Sequence, residues 1–194
     1  MKLSIRNVEP DELEGIFMHI KNDFALGEYP PYAALHRHLT TGVQKGYILQ
    51  DRKKDVAYSF CAEGTGNGFV LISLLAVFKE FRGKGYGTAF LDELRHMYTS
   101  KKGIIIEVEK PEEAKTADEK TVREKRIAFY QKSGFYLVKN IDYCIWDIPM
   151  HLMILPGTGT GKIDNAEISQ AIYEIYGELL GDRFIHKVRL RLLK

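Results

Sequence analysis

The stretch "FVLISLLAVF", residues 69–78, carries one polar side chain, Ser73, in an otherwise apolar run. Such a run is the mark of a strand buried on both faces at the centre of a sheet. Directly after it the chain changes character. "RGKGYGT" places glycines at 83, 85 and 87, and Phe90, Leu91, Leu94, Met97 and Tyr98 then recur at helical spacing. A central strand therefore feeds a helix through a glycine-rich junction, and the rest of the chain must be arranged around that unit.

Before it, "LSIRNV" alternates as a first strand should, and Leu13, Ile16, Phe17, Ile20 and Phe24 form the stripe of a helix. "EYPPY" breaks the chain, and a second helix through Leu35 and Leu39 ends near Gly42. The strands "GYILQ" and "VAYSFCA" flank the turn "DRKKD", and "GTGNG" is a further turn. After the glycine junction come the central strand "IIIEVE", a charged connector over 110–120 and a helix around "REKRIAFYQKS" that Gly134 stops. "FYLVKN" and "PMHLMIL" read as the last two strands of the domain, joined by "IDYCIWDI".

Beyond Pro156 a Gly/Thr hinge precedes another helix, with Asp164 as N-cap and Glu167 three residues on. Its stripe is Ile168, Ala171, Ile172, Ile175, Tyr176, Leu179 and Leu180. That face either packs back on the domain or meets a second copy of the chain in a homodimer. The tail "HKVRLRLLK" sets Lys187, Arg189 and Arg191 against Val188, Leu190 and Leu192, as an edge strand guarded by cations would. The expected organisation is a domain over 1–155 and a C-terminal extension over 156–194.

Composition narrows the function classes. Apolar residues are 45% and charged residues 28%, the balance of a folded globular chain. A formal charge of +2 gives no reason to expect a nucleic-acid partner. No segment approaches the ~20 apolar residues that span a bilayer, and the acids in the first fifteen residues do not suit a secretory leader, so a cytoplasmic chain without membrane association is expected. Cys61 and Cys144 lack metal-ligand spacing, and His36 and His38 point to different helix faces, so no metal is expected.

Two glycine-rich stretches compete for an anionic ligand. A phosphate loop of the Walker type needs four residues between its first Gly and its GK, and Ser or Thr after the Lys. In "PGTGTGKI" those positions are Pro156 and Ile163. A nucleotide-binding protein using residues 156–162 is the reading this stretch would support. The junction at 82–88 has better neighbours. The first amides of a helix lack internal acceptors and point a partial positive charge forward, while glycines let oxygen approach the backbone. Arg82 and Lys84 add charge, and Thr88 can donate a hydroxyl.

The residues "LLAVFKEFRGKGYGTAFLDELR" resemble the signature of the GNAT superfamily of N-acetyltransferases, in which Arg or Gln precedes two residues, Gly, one residue, then Gly or Ala. Arg82, Gly83, Lys84, Gly85, Tyr86 and Gly87 fill that pattern. "RIAFYQKSGF", 126–135, is similar to the family's helix carrying an aromatic pair before a Gly-Phe turn. The resemblance spans about residues 1–155 and is sharp from 70 to 136. It implies an α/β fold with a mixed central sheet of about six or seven strands flanked by helices. It also implies acetyl-CoA as co-substrate, its pantetheine arm between the strand before the glycines and "IIIEVE", beside backbone groups of Leu75 and Val77. The pyrophosphate would lie on amides from Arg82, Gly83, Lys84, Gly85, Tyr86, Gly87 and Thr88.

Acetyl transfer to an amine needs a neutral nucleophile, a stabilised oxyanion and a proton for the departing thiolate. An alkylamine of pKa near 10.4 is neutral only about one part in a few thousand at pH 7, so a base is needed. The resemblance points to Glu107 in "IIIEVE" as that base. Glu109, on the same strand face, is the next choice and a candidate acceptor contact. The resemblance also points to Tyr130 as the acid that protonates the sulfur, and the oxyanion donor is expected to be an amide near Val77. Where many members carry Asn before that tyrosine, this chain has Arg123. The acceptor, an amine of a small molecule or peptide, is expected to meet Glu28, Tyr29 and Tyr32 of "GEYPPY" and Tyr143 and Trp146 of "DYCIWD". A protein of this fold that binds acyl-CoA without turnover is the alternative.

Overall fold

The computed structural model describes residues 1–66 and 68–193; Asn67 of the "GTGNG" turn and Lys194 at the end of the tail lie outside the described residues. The chain divides into two compact units, Met1–Ala62 with Ile72–Leu94, and Glu63–Leu71 with Arg95–Lys194.

In the first unit, β1 (Leu3–Asn7), β2 (Gln44–Asp51), β3 (Lys54–Glu63) and β4 (Phe69–Val77) follow one another across the sheet, with β1, β2 and β3 antiparallel. The β2–β3 hairpin turns on Arg52 and Lys53, whose φ values of 51° and 67° give the left-handed pair that matches strand twist. Helices α1 (Leu13–Asp23) and α2 (Tyr32–Thr41) cover this sheet. Leu13, Ile16 and Ile20 from α1 and Leu35 from α2 pack with Ile48, Tyr58, Phe60 and Leu74 in one apolar cluster. Each such side chain, fully buried, stabilises the fold by about 1.5–3 kcal/mol. Gly42, with φ of 75°, ends α2 where the sequence places its stop. Helix α3 (Tyr86–Met97) follows β4 and buries Phe90, Leu91 and Leu94.

The second unit holds β5 (Gly103–Glu109), β6 (Tyr136–Leu137), β7 (Ile141–Ile145), β8 (Ile148–Pro156) and β9 (Val188–Leu192), with helices α4 (Ala117–Lys132) and α5 (Asn165–Phe184). Strand β8 pairs antiparallel with β5, β6 and β7, and β7 pairs antiparallel with β9.

The described chain thus has nine strands rather than six or seven. "IDYCIWDI" is not a connection: Ile141–Ile145 is strand β7, and Trp146 and Asp147, with φ of 51° and 65°, form the two-residue turn into β8. "FYLVKN" contributes only two strand residues, Tyr136 and Leu137. Helix α5 starts at the expected cap, with the side chain of Asp164 accepting from the Ala166 amide and Glu167 closing the capping box. Ile168, Ala171, Ile172, Ile175, Tyr176 and Leu179 are buried within the chain, so the stripe is not free to meet a second copy and a homodimer through it is set aside. The tail is strand β9, and its Arg189 and Arg191 pair with Asp147 and Asp142.

No described helix is long and apolar enough to cross a membrane. Among the described residues no cluster of His, Cys, Asp or Glu is arranged to hold a metal.

Candidate active site

The glycine junction, in the first unit, is built by two left-handed glycines. Gly83 (φ 75°) and Gly85 (φ 83°) turn the chain between the short helical turn Lys79–Phe81 and α3. The carbonyl of Gly85 accepts from the Ala89 amide at 3.1 Å, which makes Gly85 the N-cap. Among the described residues, none of the six amides from Gly83 to Thr88 has an acceptor. A Cβ built on Gly83 would meet nothing within 4 Å, and one on Gly85 only the tip of Met1 at 3.9 Å. Gly83 and Gly85 thus serve backbone conformation, and the space a side chain would take at either is open. Six donors at a helix N-terminus fit a diphosphate.

Two contacts differ from expectation. The Arg82 amide bonds to the Lys79 carbonyl at 3.4 Å, so the run of free amides begins at Gly83. The Arg82 guanidinium is also engaged: Nε donates to the Val77 carbonyl at 3.0 Å and Nη2 pairs with Asp23, which in turn accepts from the Tyr58 hydroxyl at 2.8 Å. Arg82 is therefore a strut that ties the end of β4 to α1 through Nε and Nη2, while both Nη1 hydrogens have no partner among the described residues. Lys84 Nζ donates to the Glu80 carbonyl at 2.9 Å, and the Tyr86 hydroxyl donates to Asp51 at 2.8 Å. Leu75 and Val77 lie in the partly exposed last stretch of β4.

The competing stretch at 156–162 offers no such run of donors. The amides opening α5 are served by the carboxylates of Asp164 and Glu167, whose charge repels an anion. A Cβ at Gly157 would collide with the Lys101 carbonyl, so this glycine is explained by close packing.

In the second unit, Glu107 stands on β5, partly buried, and both of its carboxylate oxygens accept from phenols. Oε1 takes the Tyr143 hydroxyl, and Oε2 takes that of Tyr176 at 2.7 Å. Burial raises the Glu107 carboxyl above the usual carboxylate range, against the opposing effect of the two phenol hydrogen bonds. Both phenols are held well above their ordinary pKa by burial and by the neighbouring carboxylate, so they remain donors. Glu109 is placed differently. Arg123 Nη2 reaches it at 2.7 Å and Arg126 Nη1 at 3.3 Å, a pairing that leaves it poorly suited to take a proton. Arg123, in the register where the family often has Asn, is thereby committed to Glu109 and to the Lys110 carbonyl.

Tyr130 is fixed by the end of its helix. The Gly134 amide bonds to the Gln131 carbonyl and the Phe135 amide to the Tyr130 carbonyl, a Schellman closure that requires the left-handed Gly134 (φ 91°). The apolar contact belonging to this closure is the Tyr130–Phe135 ring pair, 5.6 Å between centroids. The block "FYQKSGF" is thus one structural device, and it holds the Tyr130 ring buried. The Tyr130 hydroxyl has no hydrogen-bond partner among the described residues, and burial raises its pKa against the influence of Arg126.

The expected acceptor residues divide between the units. Tyr29 and Tyr32 pack edge-on against Phe17 at 5.7 and 5.3 Å, and Glu28 accepts from the Ala25 amide, closing the turn after α1. Trp146 lies exposed on the β7–β8 turn against Phe184. Tyr143 is 1% exposed and bound to Glu107, so it supports that carboxylate and cannot line an open acceptor surface. Sequence patterns alone did not point to Asp23 or Tyr176. For Tyr176 a signal exists: a tyrosine within a buried aliphatic stripe needs a partner for its hydroxyl.

Residues 44–137 match the family model of the acetyltransferase (GNAT) domain. No curated protein matches the chain by sequence. The fold is similar to that of a protein assigned to the GNAT acetyltransferase family from Bacteroides thetaiotaomicron, with TM-score 0.71 and 21% identity over 92% of this chain and 98% of that one. A point mutant of a spermidine N-acetyltransferase from Vibrio cholerae aligns with TM-score 0.60 and 13% identity, covering 80% of this chain and 94% of the other. The ribosomal-protein-S18-alanine N-acetyltransferase from Escherichia coli aligns with TM-score 0.55 and 18% identity over 84% and 97%. The glycine junction and the Schellman-closed helix both lie inside the matched segment, so the chain carries an acetyltransferase (GNAT) domain over residues 44–137.

Proposed function

We propose that this protein transfers the acetyl group of acetyl-CoA to a primary amine of a small molecule or peptide. The observation that carries the reading is the run of six acceptorless amides from Gly83 to Thr88 at the N-terminus of α3. These amides hold the diphosphate, and backbone groups around Leu75 and Val77 bind the pantetheine arm. The acetyl thioester supplies the group transferred, and the chain manages the protons. Glu107, a carboxyl whose pKa is raised toward the working pH, takes a proton from the ammonium form of the acceptor, directly or through water. Tyr130, a phenol without an internal acceptor, gives a proton to the thiolate.

The test is thiol release from acetyl-CoA against a panel of amines, with calorimetry of CoA binding alongside. Spermidine and a peptide beginning with alanine belong in the panel because two structural neighbours carry those names. CoA binding with thiol release for at least one amine is the expected result. The occupation of both Glu107 oxygens by phenols favours one competing reading, acyl-CoA binding without turnover. Binding with no release across polyamines, aminoglycosides, amino acids and peptides would select it. Binding of ATP with magnesium but not CoA would move the ligand to 156–162 and end the proposal.

Tyr130→Phe is expected to cut turnover by ~10²-fold with little change in CoA affinity, because it removes only the transferable proton. Steady-state kinetics with calorimetry checks this. A near-normal rate would remove Tyr130 from the role of acid.

A further inference from the structure

We propose that α5, which lies outside the matched segment 44–137, completes the catalytic site through Tyr176, a positioning residue that holds the Glu107 carboxylate in place. The inference rests on Glu107 being the base. Tyr176 stands 69 residues along the chain from Glu107 and donates to its Oε2 at 2.7 Å, while Tyr143 from β7 donates to Oε1. With each oxygen anchored by a separate element, the carboxylate cannot rotate about its terminal bond. Its remaining lone pairs are held in fixed directions. The two phenol oxygens lie against the same carboxylate, one on each of its oxygens. When Glu107 gains a proton, its O–H can donate to the phenol oxygen beside it while the other phenol keeps its bond to the remaining carboxyl oxygen, so the carboxyl stays partnered in both protonation states.

No formal charge joins this cluster among the described residues. Two residues along β5, Glu109 is paired with Arg123 and Arg126 of α4. From β8, the residue in register with Glu107 is Leu152, and the nearby His151 pairs with Glu112 at 2.9 Å. Against the burial that raises the Glu107 carboxyl, the phenols of Tyr143 and Tyr176 are thus the groups that favour its ionised form.

The experiment monitors Glu107 itself in the full chain. Glutamate labelled at 13Cδ gives a titrating resonance for Glu107, assigned by its loss in Glu107→Gln. It is compared in the wild type and Tyr176→Phe with the acid limb of kcat/KM. Removing a donor to the ionised form raises the carboxyl pKa, so both the resonance and the limb should move up by about one pH unit. An unmoved resonance would overturn the proposal, even if Tm falls, because a role in packing alone predicts that outcome. A shifted resonance with an unmoved limb would show that Glu107 is not the base, and the proposal would fall with that reading. Should Tyr176→Phe not fold, 3-fluorotyrosine placed at 176 keeps the ring and strengthens the donor. Resonance and limb should then move down together, and no movement would overturn the proposal.

Discussion

Glu107→Gln is expected to lower turnover by about 10²- to 10⁴-fold while leaving the protein at least as stable as the wild type at neutral pH. The two halves of this expectation have one cause. Burial raises the Glu107 carboxyl above its ordinary range, so the folded protein binds this proton more tightly than the unfolded chain does. Between the ordinary carboxylate pKa, about 4.3, and the raised folded value, the native state carries the extra proton. Stability from this group is therefore complete below that window and is lost as pH rises through it. Above the window the ionised carboxylate is a standing cost that Gln does not carry. The amide of Gln can accept from one phenol and donate to the other, so the cluster stays satisfied. Thermal unfolding from pH 4 to 8 should show the variant gaining on the wild type as pH rises, while thiol release collapses. A carboxylate kept for structure alone would give the reverse, with turnover preserved and stability falling most at neutral pH.

The difference between what the sequence revealed and what it hid tracks the range of the interactions. The junction at 82–88 was legible because all its parts are local: a buried strand, glycines that accept positive φ, and a helix whose first amides have no internal acceptor. The "FYQKSGF" closure was equally local, and Gly134 announced it. Strand β7 was hidden because its turn is Trp146-Asp147, two residues that adopt left-handed φ without the glycine or asparagine that marks such hairpins. Once β7 is a strand, Tyr143 moves from an expected acceptor loop to a buried position beside Glu107. Tyr176 could be placed on a buried helix face, but its pairing with Glu107 is a contact across 69 residues that no local pattern encodes. The same limit applies to Arg82. The motif marks it as a cofactor contact, and only the approach of Asp23 from α1 shows that Nε and Nη2 also tie the end of β4 to that helix.

Gly85→Val is expected to weaken CoA binding by on the order of 10²- to 10³-fold, the loss of one or two hydrogen bonds to a charged oxygen. Gly85 holds φ of 83°, a conformation that a β-branched residue resists, at a cost of roughly 1–3 kcal/mol. The space around it is open, with Met1 Cε 3.9 Å from a built Cβ, so the chain can fold with the new side chain in place. For a protein of this size the strain corresponds to a loss of about 2–4 °C in Tm per kcal/mol. The larger effect falls on the ligand. If the backbone relaxes toward negative φ, the amides of Gly85 and Tyr86 change direction relative to the others of the acceptorless run. If it does not relax, the branched side chain occupies the space in front of them. Either way the diphosphate loses its donors, whereas a free amine acceptor loses nothing. Calorimetry with CoA and with 3′-dephospho-CoA, which keeps the diphosphate, should show equal relative losses for the two ligands. Unchanged affinity for both would place the cofactor elsewhere. A loss confined to CoA would mean that the junction grips the 3′-phosphate and not the diphosphate.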